Sequence, residues 1–329
     1  MTGTLQQRAT ELVAKVVALR DELARQVIGQ DALIDALIVG LLAGGHVLLE
    51  GLPGLGKTLL VRTLARGLGL SHSRIQCTPD LMPTDITGTQ ILDEEDGRRA
   101  FRFQRGPVFA GLVLADEINR ATPKTQSALL EAMQEHSVTV AGTTHPLPQP
   151  FHVIATQNPI ELEGTFPLPE AQLDRFLFRL DVVTPDVEAM VRILEVTTAG
   201  ESPGMRERLP AAELLELQGI VREVLCGSHL LRYTAHLVLA THPDAPGADE
   251  ATRRFVRYGA SARAGQAIVL GAKARALLAG RPAITREDID ACSMPALVHR
   301  VLLGFEAEAE RTGVADLYPA WRTAAERAL

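Results

Sequence analysis

Gly51-Leu52-Pro53-Gly54-Leu55-Gly56-Lys57-Thr58 is the stretch that decides how the rest of this 329-residue chain is read. It matches G-x-x-x-x-G-K-[ST] at every fixed position. It follows His46-Val47-Leu48-Leu49-Glu50, a short apolar run bounded by glycine, and opens a helical pattern from Lys57 to about Gly67. Strand, glycine loop and helix form the context this motif requires. Glycines let backbone N–H groups converge on phosphates, and the helix N-terminus adds its positive dipole end. Lys57 is placed to reach the β- and γ-phosphates and Thr58 to coordinate Mg²⁺. Gly51, Pro53, Gly54, Leu55, Gly56 and Leu59 complete the expected contact set. No N-K-x-D guanine motif occurs, which favours ATP over GTP.

The alternation of strand and helix continues outward from this loop. Helical spacing runs over 5–25 and 31–43, separated by Val27-Ile28-Gly29-Gln30. Strands are predicted near Ser73–Cys77, Gly111–Ala115, Phe151–Thr156 and Leu177–Val182, with a helix over Thr122–Glu135. Residues 88–105 read as a hairpin around Glu94-Glu95-Asp96-Gly97, and Ser137–Pro148 as another turning at Ala141-Gly142. This pattern implies an α/β fold, a parallel sheet sandwiched by helices. After residue 184 the strand-like runs stop. A linker over 185–209 leads to helices near 211–225, 228–241, 261–279 and 285–302. The expected domains are a core over 1–184 and a small all-α lid over 210–329, with nucleotide between them.

Leu112-Val113-Leu114-Ala115-Asp116-Glu117 is an apolar strand ending in two acids. Carboxylates at the carboxyl end of a parallel strand face the ligand crevice. Asp116 is placed to hold Mg²⁺, and Glu117 to polarise the attacking water as general base. Acids also favour a helix start, which is the structural alternative.

Bulk properties narrow the class. Hydrophobic residues make up 46% and charged residues 22%, so a packed globular chain is expected rather than disorder. The net charge of −7 lacks the basic excess of a general nucleic-acid binder. The three cysteines, Cys77, Cys226 and Cys292, show no paired spacing, and the nine histidines no H-E-x-x-H. No apolar run approaches the ~20 residues of a membrane span, and a cytoplasmic protein is expected.

Asp116-Glu117-Ile118-Asn119-Arg120-Ala121 behind this P-loop resembles the AAA+ ATPases, and more narrowly the MoxR family. Ala155-Thr156-Gln157-Asn158-Pro159, Leu168-Pro169-Glu170-Ala171-Gln172-Leu173-Asp174-Arg175-Phe176, Gly259-Ala260-Ser261-Ala262-Arg263-Ala264 and Val298-His299-Arg300 extend the resemblance over about 10–303. It implies an AAA+ P-loop module with a helical lid. Asn158 matches sensor 1, a neutral amide near the γ-phosphate. Arg175 matches the arginine finger, which acts on a neighbouring subunit's nucleotide, with Arg179 as the reserve candidate. Arg263 matches sensor 2, which would touch the same phosphates from the lid. The family commonly has proline before this arginine; here it is Ala262. Ile28-Gly29 resembles the adenine-side segment. The two hairpins match insertions that line a pore or face a client in related rings; a passive surface hairpin is the alternative.

The resemblance further implies a homo-oligomeric ring, hexameric by family expectation, that remodels or matures protein clients. A partner with a von Willebrand factor A-type domain is part of that expectation, and nucleic acid is not. Rival readings are a magnesium-chelatase-like or nucleic-acid motor, and a nucleotide-gated scaffold with little turnover. The tail after Gly304, with Trp321, stays unassigned between a lid helix and an interface segment.

Overall fold

A computed structural model describes residues 3–95, 98–159, 164–198, 204–206 and 208–328. The tip of the first hairpin at Asp96-Gly97, and residues 199–203 and 207 of the linker, lie outside the described residues. Helices α1 (Gly3–Gln26) and α2 (Asp31–Leu42) precede β1 (Val47–Glu50), and α3 (Lys57–Gly67) leads to β2 (His72–Gln76). The short α4 (Pro83–Thr87) is followed by the antiparallel hairpin β3 (Gly88–Glu95) and β4 (Arg98–Arg105). Then come β5 (Leu112–Asp116), α5 (Pro123–Glu135), the second hairpin β6 (Ser137–Val140) and β7 (Thr143–Pro146), β8 (His152–Gln157), α6 (Glu170–Leu173) and β9 (Phe178–Asp181).

The five core strands form one sheet in the order β2-β5-β8-β1-β9, and every neighbouring pair is parallel. The three central strands β5, β8 and β1 are buried almost throughout because both faces are covered, whereas edge strand β2 is largely polar and exposed. Alternation then splits each strand between two cores. Val47, Leu49, Leu112, Leu114, Ile154, Phe178 and Leu180 face one cluster with α1, α2 and α3. Leu48, Ile75, Val113, Ala115, Val153 and Ala155 face the other, with Leu129, Leu130 and Met133 of α5.

Helix α7 (Val187–Thr198) leaves the sheet, and α8 (Ala211–Glu223), α9 (Ser228–Ala240) and α10 (Glu250–Phe255) follow. Next are β10 (Val256–Tyr258), α11 (Ala262–Leu278), α12 (Arg286–Leu297), β11 (Leu302–Leu303), α13 (Phe305–Glu310) and α14 (Val314–Arg327). The lid is helical as expected, with one short antiparallel ribbon in which β10 pairs with β11. Strands this short carry no period to detect. The tail is a lid helix, because Trp321 of α14 is fully buried and its indole N–H donates to Thr252 Oγ1 at 2.7 Å. Lid and core share one apolar cluster, which runs from Leu12 and Val16 through Phe178 to Ile268 and Ile289.

Buried imidazoles tie the layers at the amino ends of the strands. Val153 N–H donates to His46 Nδ1 at 2.9 Å, and His46 Nε2 bonds Met133 O at 3.1 Å. His152 bridges Gly45 O and Gln218 of α8 at 3.0 Å each, and His299 bonds Phe176 O at 3.0 Å. Burial pushes these pKa values down from 6.5, His46 and His299 to about 3 and His152 to about 4. Unfolded histidines near pH 5 bind protons that the folded ones refuse, so stability falls as pH drops below about 6.5. Each contributes a loss of roughly 2 kcal/mol between pH 7 and pH 5. Thermal melting across that range is expected to show a clear drop in Tm. A flat profile would contradict the neutral, buried assignment.

Candidate active site

The P-loop lies where β1 delivers it, at the carboxyl edge of the sheet. Gly54 and Gly56 adopt φ +82° and +79°, a left-handed conformation that side chains resist, and nothing lies within 4 Å of a Cβ placed on either. The loop therefore turns with its backbone open to a ligand. Lys57 donates to Gly51 O at 2.5 Å and Leu52 O at 3.1 Å. Burial lowers its pKa, while the Asp116 and Glu117 carboxylates act to raise it.

Pro53, Gly54, Gly56, Lys57, Thr58, Leu59, Asp116, Glu117 and Asn158 surround one cleft of about 260 Å³ together with Arg74 and Gln76. Gly51 lies just behind it through its carbonyl, and Leu55 packs against the large apolar cluster. Ile28 and Gly29 are not among the residues lining this cleft, and Gly29 packs against Ala189 and Pro185. Among the described residues, those lining this cleft all belong to the core.

Four residues outside the expected site set hold the two acids. Register pairs Gln76 with Asp116 across β2 and β5. Arg74 Nη2 lies 2.7 Å from Asp116 Oδ2. Gln76 Nε2 and Arg120 Nη1 donate to Glu117 Oε2 at 2.9 and 3.0 Å. Thr156 Oγ1 donates to Asp116 Oδ1 at 2.7 Å and accepts from Glu117 N–H at 2.8 Å. Glu117 itself sits at φ 57°, a left-handed conformation that costs a non-glycine residue on the order of 1–3 kcal/mol. The polar spacing Arg74-x-Gln76 at the end of a strand is the signal that was available in the sequence.

Arg175 and Arg263 stand elsewhere. They line a different cleft with Gly44, Gly45, His46 and Arg300, at the amino end of β1. Arg175 donates to Leu130 O at 2.6 Å, and Arg263 lies 3.7 Å from Asp174. The two predicted arginines are thus side by side, but both are separated from the P-loop by the length of β1 and β9. Four residues of strand span roughly 13 Å at ~3.3 Å per residue. Arg179 is engaged differently, at 3.1 Å from Glu50 and 3.5 Å from Asp181.

A parallel sheet in this order, a P-loop after β1, paired acids after β5 and a C-terminal helical lid define an AAA+ ATPase. Residues 46–178 match the family described as ATPase family associated with various cellular activities (AAA), and 248–319 match the AAA lid domain. Chaperone MoxR1 of Mycobacterium tuberculosis is 46% identical over 290 residues, covering 88% of this chain and 76% of that one. Protein MoxR of Methylorubrum extorquens is 35% identical, with 86% of each covered. A solved structure from Cytophaga hutchinsonii, provisionally assigned as an ATPase, superposes with TM-score 0.91 at 39% identity, covering 98% of this chain and 97% of that one. The chain belongs to the MoxR family of AAA+ ATPases.

The double role of the Thr156 hydroxyl gives a direct test. Thr156→Val keeps the shape but leaves a buried carboxylate oxygen and a backbone N–H unpaired, at about 1–3 kcal/mol. The expected result is lower stability and at least about tenfold lower ATP turnover, since orientation of catalytic groups is lost. Thr156→Ser, which restores the hydroxyl, is expected to recover most of both.

Proposed function

We propose that the protein hydrolyses ATP in a site shared between adjacent copies of the chain, and uses that cycle to remodel or mature client protein complexes. The observation that carries it is the placement of the P-loop and of Arg175 and Arg263 at opposite ends of the paired strands β1 and β9. One chain holds two half-sites that face apart, so a head-to-tail neighbour completes each. Heterologous contacts of that kind close into rings or run on as filaments. A hexameric ring is the family expectation.

In this reading the P-loop N–H groups and Lys57 hold the triphosphate, and Asn158 contacts the γ-phosphate. Glu117 orients and deprotonates the attacking water once its bonds to Gln76 and Arg120 give way. Arg175 of the neighbour offsets charge on the transferred phosphoryl group, and Arg263, standing beside it, serves the same nucleotide. Ile28 and Gly29 flank the adenine. Thr58 and Asp116, both in the cleft wall, would hold Mg²⁺; it supplies charge neutralisation of the phosphates. The donor set fits, because both side chains bring hard oxygen donors to one cleft, short of the full cage that an ion held by protein alone would need. An ion bound by one carboxylate, one hydroxyl and phosphate oxygens needs no such cage.

A remodelling role is supported by the chaperone relative and by the first hairpin, where the cross-strand pair Leu92 and Phe101 is 56% and 72% exposed. Such an apolar pair suits contact with a polypeptide. A partner with a von Willebrand factor A-type domain rests on the family resemblance. A cytoplasmic setting is supported by three free cysteines, and no described helix is long and apolar enough to cross a membrane. The net charge of −7 weighs against a nucleic-acid motor.

Glu117→Gln and Arg175→Ala are each expected to bind ATP yet turn over at least about 10²–10³-fold more slowly. Mixing the two inactive proteins should restore part of the activity, because an intact P-loop site then meets an intact arginine. Mixtures that stay as inactive as their parents would remove the shared site.

A further inference from the structure

Val298-His299-Arg300 has no place in the chemistry above, yet its side chains are spent on the segment that carries Arg175. The Arg300 side chain is only 3% exposed. Its Nε donates to Asp174 Oδ1 at 2.7 Å. One terminal nitrogen donates to Leu177 O at 3.1 Å and Ala296 O at 2.6 Å. The other donates to Asp174 O at 3.1 Å and Phe176 O at 2.6 Å. All five N–H groups of the guanidinium are used, four of them on residues 174–177. His299 adds a bond to Phe176 O. Asp174 also accepts from Ser261 Oγ at 3.1 Å, and Ser261 in turn accepts from Arg263 N–H at 3.2 Å, at the start of α11. One carboxylate, next to Arg175 in the chain, gathers Arg300, Ser261 and Arg263.

Holding the lid to the sheet does not require this. Phe178 of β9 already packs against Gly271 of α11 and Cys292 of α12, and an apolar contact achieves attachment without desolvating a charge. A buried guanidinium with every donor fixed offers orientation instead, since its planar fork leaves the bound backbone little freedom.

We propose that Arg300, with Asp174, is the positioning residue for Arg175: it fastens the arginine segment to the lid as well as to the sheet, so that the lid sets where Arg175 and Arg263 meet the neighbouring nucleotide. This rests on the shared-site reading. The side chain of Arg175 bonds Leu130 O, and the N–H groups of Arg175 and Leu177 bond Gln172 O and His46 O of the core, while the Arg300 guanidinium ties the same segment to the lid. A shift of the lid therefore moves both arginines together, and the position of one subunit's lid governs hydrolysis in the next.

Arg300→Lys keeps the charge but has three donors in place of five, and misplacement by about 1 Å costs roughly 10²-fold in rate. The expected result is ATP affinity within about twofold of the parent, turnover lowered about 10–10²-fold, and recovery when the variant is mixed with Glu117→Gln. That recovery separates a positioning role from a merely structural one. A damaged fold would also spoil the variant's own P-loop and would not be rescued. Asp174→Asn, which removes the charge and keeps an acceptor for Nε, is expected to behave alike, and decides the matter if Arg300→Lys does not fold. Full turnover in both variants, or lost turnover without recovery on mixing, would overturn the proposal. Arg175→Ala with unchanged turnover would instead remove the shared-site reading beneath it.

Discussion

Parallel pairing of β1 with β9, in the register Val47↔Phe178 through Glu50↔Asp181, is the constraint on which the rest depends. A parallel sheet is polar: every carboxyl end faces one way and every amino end the other. The P-loop issues from the carboxyl end of β1 and the arginine segment enters β9 at its amino end. No rotamer of Arg175 changes that. In the proposed shared-site reading these are two halves of one site facing in opposite directions, and a neighbouring copy completes it.

The packing makes this polarity rigid. Strand residues alternate between two apolar clusters, so a slip of one residue would exchange Leu48 for Val47 and Leu49 and place each on the wrong face. Buried polar groups at the two ends of this frame bond strand ends and site residues. At the carboxyl end the Thr156 hydroxyl serves both acids at once. At the amino end His46, His152, His299 and Arg300 bond the backbone of the strand entrances. Unpaired, such groups would be costly, so each fixes the segment it touches. The same arrangement leaves the exposed first hairpin outside the frame, free to meet something other than the protein's own core.

Much of this was legible in the chain. The P-loop, the strand ending at Asp116-Glu117 and the helix from Lys57 to Gly67 stand where a local pattern predicts them, because each depends on residues adjacent in sequence. What depends on distant segments was not legible. Arg74 and Gln76 reach the acids only through the pairing of β2 with β5, and no local period reports which strands pair. Arg263 was recognised by its surroundings in sequence, but its place beside Asp174, away from its own P-loop, follows from how α11 packs on β9. The β10–β11 ribbon was hidden by strands too short to carry a period, and the burial of Trp321 by a partner, Thr252, far off in the chain.

The most direct measurement is the specific ATPase rate against protein concentration, with the mass of the species recorded alongside. A site completed by a neighbour predicts a rate per subunit that climbs with concentration and follows the population of a multi-subunit species. A constant rate per subunit from a monomer would mean that one chain hydrolyses ATP alone, and would contradict the placement of Arg175 and Arg263 in a neighbour's site.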